Sequence, residues 1–149
     1  MVINIILGGI ILFFLFFLII LLLIILSLND IKKRIISNKI IILLLSCIIP
    51  FSLLKYNELF IVSAFIFLLL GFIVFQLGII GGGDIKLITV LMLSVPVEQL
   101  ISFFFFTSIA GLFLIIIGWL FFRDSIKKKG LPYGVAISLG FLMNLSLFA

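Results

Sequence analysis

The sequence predicts an all-α, polytopic membrane protein of about six transmembrane helices. Its N-terminus is expected outside, and its fourth helix is expected to be short and preceded by glycines. Three observations lead there. Hydrophobic residues make up 66% of the chain and charged residues only 10%, with a mean hydropathy of +1.68. The apolar runs approach or exceed the roughly 20 residues that cross a hydrocarbon core of about 30 Å. The basic residues gather beside those runs instead of spreading over a surface. A soluble domain would alternate apolar and polar positions, which this chain rarely does. One membrane-embedded domain over residues 1–149 is expected, with no room for a soluble one.

The first run, Val2 to Leu28, is long enough to span with tilt. No basic region precedes it and no small-residue cleavage pattern follows, so a retained span is expected. Asn29-Asp30 ends it, and Lys32, Lys33, Arg34 and Lys39 follow in a short loop. The second run, Lys39 to Leu54, is short for a crossing, and Ser37 or Asn38 is placed to N-cap it. A polar turn, Lys55-Tyr56-Asn57-Glu58, leads to a third run from Leu59 to Ile80. Gly81-Gly82-Gly83-Asp84 then precedes a run from Ile85 to Val95, stopped by Pro96. At helical rise that run covers only about 17 Å. A fifth run, Glu98 to Phe122, ends with Trp119 near Arg123, and Lys127-Lys128-Lys129-Gly130 leads to the last, Leu131 to Ala149. Pro132 sits near its start, where a missing N–H costs nothing. No internal repeat is evident.

Charge sets the orientation. With the N-terminus outside, the cytoplasmic loops hold Lys32, Lys33, Arg34, Lys39, Lys86, Arg123, Lys127, Lys128 and Lys129, and the outer loops only Lys55. That asymmetry obeys the positive-inside rule and puts Asp30 and Asp84 at one membrane face. The net charge of +5 is therefore a topology and lipid signal, with no nucleic-acid partner expected. The chain has no histidine and a single cysteine, Cys47, which excludes imidazole chemistry, an internal disulfide and a cysteine zinc site.

Ionisable groups at membrane depth are costly and usually tied to function, which singles out Asp84. Glycines beside it allow positive φ and close backbone approach. Exposed backbone at that depth must be covered by protein or water, so a polar cavity is expected there. Two carboxylates brought together share a proton. The ionised one can take a proton from water while the protonated one polarises a carbonyl. No other complete catalytic set is present, since the serines lack a histidine base and Cys47 lacks a partner.

Each feature also has a bland interpretation. A glycine turn capped by Asp is common, and Asp30 among Lys and Arg is usually a solvated ion pair. Lys86 more often snorkels to headgroups. Gln76 and Asn144 are expected to hydrogen-bond between helices. Phe103 to Phe106 read as lipid-facing or packing surface, Glu58, Glu98 and Asp124 as solvated, and Lys127 to Lys129 as topology determinants. Only the pair of acids at one face points to chemistry.

Asp30, its basic cluster and Ile36-Ser37-Asn38 together resemble the first aspartate motif of the type IV prepilin peptidases. Gly81-Gly82-Gly83-Asp84-Ile85-Lys86 is similar to their second, Gly-x-Gly-Asp with a following Lys, and Leu131-Pro132-Tyr133-Gly134-Val135-Ala136-Ile137 to the start of their last span. With the six-run layout, the likeness covers essentially the whole chain. It implies a multi-pass aspartic endopeptidase of the cytoplasmic (inner) membrane, with Asp30 and Asp84 catalytic and Gly81, Gly82, Gly83, Lys86 and Asn38 in support. The implied substrate is a prepilin-like precursor (pilin, pseudopilin or archaellin) with a basic leader and an apolar helix, cut after a glycine at the cytoplasmic face. Ser37 stands where the family commonly has Pro. The zinc-binding Cys-x-x-Cys insertion of longer members is missing, as in the short forms of tight-adherence systems and archaea. No zinc, methyl donor or other cofactor is expected, and N-methylation of the product is not implied.

Two other classes stay open. A small transporter or channel subunit would use Asp84 as an ion or proton relay, since glycine-broken helices with midplane acids also occur there. A structural or assembly protein would tolerate Asn at both acids. The presenilin and signal-peptide-peptidase class places its first acid in a Tyr-Asp pair inside a span, whereas here the neighbour is Asn29.

Overall fold

A computed structural model describes residues 2–121 and 123–149. Among them the chain is all-helical: α1 Val2–Lys33, α2 Asn38–Tyr56, α3 Ile61–Gln76, α4 Gly82–Met92, a 3₁₀ turn Val97–Gln99, α5 Leu100–Phe121, α6 Arg123–Lys129 and α7 Tyr133–Leu147. Three stretches are long and apolar enough to cross a membrane, Ile6–Lys33, Asn38–Tyr56 and Val97–Phe121, while α3 and α7 are shorter apolar helices. A helix satisfies its backbone internally, the requirement that lipid imposes.

The helix ends follow local chemistry. Lys32 and Lys33 close the last turn of α1, where cations suit the dipole. Asn57 ends α2 in the left-handed conformation (φ 55°), its N–H donating to the Leu53 carbonyl at 3.0 Å. Ser37 occupies the N-cap position of α2, but neither it nor Asn38 caps through its side chain, and the Ser37 carbonyl instead accepts from Ile40 and Ile41. The run from Leu59 to Ile80 is helical only to Gln76, because Gly78 (φ 71°) turns the chain left-handed. Gln76 is consequently exposed at a helix end, not packed between helices as expected.

The fourth helix begins earlier than the sequence suggested, at Gly82 instead of Ile85, and stops at Met92, short of Val95. Gly81 is its N-cap (φ −70°, ψ 140°), and positive φ among glycines is confined to Gly78 and Gly130. The glycine run thus serves close approach, not a left-handed turn. The expected loop after α5 holds the short helix α6, with Asp124 in its first turn and Lys127 to Lys129 in its last. That polarity matches the helix dipole. The expected end of the fifth run, Phe122, lies outside the described residues.

Helices α1, α2, α4 and α7 pack in a closed ring, α1 on α2, α2 on α4, α4 on α7 and α7 on α1. Leu23, Leu26, Leu44, Ile48, Leu87, Leu91 and Phe141 fill its centre, all fully buried. Helix α3 flanks α4 and α5 flanks α7. Lipid is as apolar as these side chains, so helices associate through tight packing and hydrogen bonds. Ile85 lies so close to Gly71 of α3 that a Cβ there would come 2.7 Å from its Cγ2. On the other flank, a Cβ on Gly140 would sit 2.6 Å from the Thr107 Cα of α5. Asn144 adds polar contacts, accepting from the Ser102 hydroxyl at 2.6 Å and donating to Gln99 Oε1 at 3.3 Å. Phe103 is packed edge-on to Phe141 within the bundle, whereas Phe105 faces outward. Arg123 stacks its guanidinium over the Trp119 ring at 5.2 Å, an interfacial pairing.

Candidate active site

One end of the four-helix ring holds both acids. Asp30 lies in the last turn of α1 and is only 6% exposed. Its Oδ2 accepts the main-chain N–H of Gly134, 2.8 Å away in the first turn of α7. Such N-terminal amides have no partner within their own helix, and a carboxylate suits the positive end of the dipole. The contact needs glycine. A Cβ at residue 134 would lie 2.8 Å from Asp30 Oδ2 and 3.2 Å from Leu26 Cδ2.

Asp84 comes from the first turn of α4, two residues after its first residue. Its carboxylate folds back over Gly81, where an added Cβ would meet Oδ2 at 3.2 Å. The Gly83 backbone takes the α1–α2 loop directly, with Ile36 Cβ 3.1 Å from where a Gly83 Cβ would stand. A Cβ on Gly82 would likewise lie 3.3 Å from Phe75 Cε2. Three positions without side chains thus let α3, the loop after Asp30, and the Asp84 carboxylate converge on one helix start.

The result is a polar cavity of about 360 Å³ whose walls include Asp30, Arg34, Gly81, Gly82, Gly83, Asp84, Lys129 and Tyr133. An apolar groove of about 300 Å³ adjoins it, formed by Ile79, Ile80, Ile88, Thr107, Tyr133 and Ile137, and also reaches Gly81 and Asp84. Asp84 therefore stands between a polar chamber and an apolar face. A larger cavity, about 480 Å³, lies at the opposite end of the bundle, between Gly9, Phe13, Phe51 and Leu145. It contains neither acid.

Of the residues singled out in the sequence, Asp30, Asp84 and the three glycines share the polar cavity. Lys86 and Asn38 do not line it. They bond to each other at the exposed rim, Lys86 Nζ donating to Asn38 Oδ1 at 3.2 Å, and so tie the start of α4 to the start of α2. Ser37, in place of the common Pro, has φ −68° and ψ 129°, the backbone that proline would impose. Gly134, Tyr133 and Arg34 gained no site role from the sequence. For Gly134 and Tyr133 the signal was present, because both belong to the motif that opens the last span.

A model of the type IV leader peptidase family matches residues 17–116, a stretch that includes both acids and the glycine run. The chain belongs to this family. It is accordingly a membrane-embedded protease. No curated protein and no solved structure matches the chain.

Proposed function

We propose that the chain is an aspartic endopeptidase that removes the leader of prepilin-like precursors, with Asp30 and Asp84 as the catalytic pair. The observation that carries this reading is the shared cavity: two carboxylates from helices far apart in sequence line one chamber that continues into an apolar groove. Two acids in one enclosed site hold a proton between them and titrate as a unit. The ionised carboxylate draws a proton from water, and the oxygen attacks the scissile carbonyl. The protonated carboxyl hydrogen-bonds that carbonyl oxygen as charge develops, and the proton taken from water passes to the leaving amine. Neither histidine nor metal enters these steps.

The groove suits the apolar helix of a precursor, and the cavity suits an unwound stretch at its end. Helical peptides hide their carbonyls, so cutting requires such unwinding. A proline just before the cut bond should preserve cleavage, and a helix-favouring stretch there should abolish it. The exposed Lys32, Lys33, Lys39, Lys86, Lys127, Lys128 and Lys129 surround the same end of the bundle. Under the positive-inside rule that end faces the cytoplasm. An ion-relay role for Asp84 gains no comparable support, because fully buried Leu23, Leu44, Ile48, Leu87 and Leu91 lie between the site and the far end.

The test is leader cleavage in membranes. Full-length protein is co-expressed with precursors carrying a basic leader, a glycine before the cut and an apolar helix. Wild type should release the leader, while Asp30→Asn and Asp84→Asn at equal membrane levels should not. Cleavage by either variant at the wild-type rate would overturn the dyad.

A further inference from the structure

Arg34 belongs by sequence to the basic cluster that sets topology, yet it is built differently from its neighbours. Lys32 and Lys33 are exposed, whereas the guanidinium of Arg34 turns into the wall of the polar cavity. The turn is made by the backbone. Arg34 has φ 54°, a left-handed conformation that residues with a Cβ seldom adopt, and its N–H closes α1 on the Asp30 carbonyl at 2.9 Å. Its Nε and Nη1 atoms are enclosed and have no hydrogen-bond acceptor among the described residues. Enclosed guanidinium donors without acceptors are rare, and their desolvation is costly. The left-handed φ closes the helix as a C-cap does, and the unpaired donors that it turns into the cavity are what a ligand contact would explain.

The ligand follows from the chemistry of the proposed reaction, on which this inference rests. A peptide unwound beside two carboxylates has lost its helical hydrogen bonds, and its carbonyl oxygens need donors. The walls offer acceptors in Asp30 and Asp84. Among the lining side chains Lys129 and Tyr133 also carry donors, but both are exposed, so Arg34 supplies the enclosed side-chain donors. We propose that Arg34 is a substrate-positioning residue that donates hydrogen bonds to a main-chain carbonyl of the unwound segment and holds the scissile bond against the two acids. The Arg34 guanidinium is near enough to Asp30 for their charges to interact, but no hydrogen bond joins the two, and Asp30 Oδ2 accepts from Gly134.

A purely topological arginine is replaceable by lysine, and a purely structural one cannot be restored from solution. The experiment therefore compares wild type, Arg34→Lys and Arg34→Ala in detergent, cutting a synthetic precursor with basic leader, glycine and apolar helix. A second precursor has every acidic side chain near the cut replaced by its amide. Both Arg34 variants should lose about 100-fold in kcat, the scale of removing one aligned donor. Millimolar ethylguanidinium should restore Arg34→Ala at least tenfold, and ethylammonium should not. The loss should be equal on both precursors.

Wild-type rates in Arg34→Lys would overturn the proposal, and so would failure of ethylguanidinium to restore Arg34→Ala. A loss confined to the acidic precursor would overturn it too, assigning the contact to a side-chain carboxylate. Asp30→Asn run in parallel separates the two levels. If it cuts normally while Arg34→Ala does not, the dyad fails and the arginine contact stands. A wild type inert toward a panel of such precursors removes both.

Discussion

The Asp30 carboxylate is held by the Gly134 main-chain amide, a 2.8 Å hydrogen bond between residues 104 apart in sequence. It joins the end of the first helix to the start of the last and fixes one acid at the cavity wall. Gly134→Ala would place a methyl 2.8 Å from Oδ2, a distance real contacts do not adopt, so the carboxylate must move. A displacement near 1 Å at a reacting group can cost about 100-fold in rate. We expect Gly134→Ala to lose leader cleavage by that order while keeping its level in the membrane. Gly111→Ala is the control: its Cβ would meet only Ala136 Cβ at 3.9 Å, an ordinary contact. Gly111 lies inside α5, so alanine there should stabilise by about 0.5–1 kcal/mol, read as a higher unfolding temperature.

Gly83 admits the Ile36 side chain, and the two should behave as a pair. Gly83→Ala should slow cleavage, because Ile36 Cβ already stands 3.1 Å from the new methyl. Ile36→Ala makes room, so the double variant should recover much of the loss. Contacting residues commonly show coupling of about 0.5–3 kcal/mol, whereas independent ones add. Additive losses in cleavage rate would deny the contact.

Ser37 already has the backbone of a proline, with φ −68°. Ser37→Pro should therefore fit the native turn and stiffen the unfolded chain, adding about 0.4–1 kcal/mol. Thermal unfolding in detergent checks this, with cleavage activity expected to hold.

The bond between Lys86 and Asn38 is exposed and spans 3.2 Å. A typical hydrogen bond contributes about 1 kcal/mol net, roughly a fivefold effect at most. Lys86→Met and Asn38→Ala should each reduce cleavage within that range, and the double variant should be no worse than either. A loss of about 100-fold for Lys86→Met alone would give the lysine a direct role in the site.

Much of this arrangement was legible in the chain itself. In so apolar a sequence Asp30 and Asp84 stand out, and charge asymmetry put both at one face before any packing was known. What escaped was carried by the backbone. Gly134 holds Asp30 through an N–H, a group every residue but proline possesses, so the motif opening the last span marked the position but not its role. The start of α4 was misplaced because glycine is a weak helix former, yet here convergence of Ile36 and Phe75 favours the bare first turn. Arg34 read as one more topology charge, since its inward turn depends on a left-handed φ that no residue type announces. Gln76 was expected between helices, but Gly78 ends α3 too early for that.

Whether Asp30 and Asp84 work as one unit is read by a double-mutant cycle on cleavage. Initial rates of precursor cutting would be compared for wild type, Asp30→Asn, Asp84→Asn and the double variant at matched membrane levels. Residues that act as a unit are grossly non-additive, and removing one costs roughly 10⁴-fold or more. Each single variant should fall by that order, and the double variant should fall no further. Measurable activity in both single variants, with losses that multiply in the double, would contradict this.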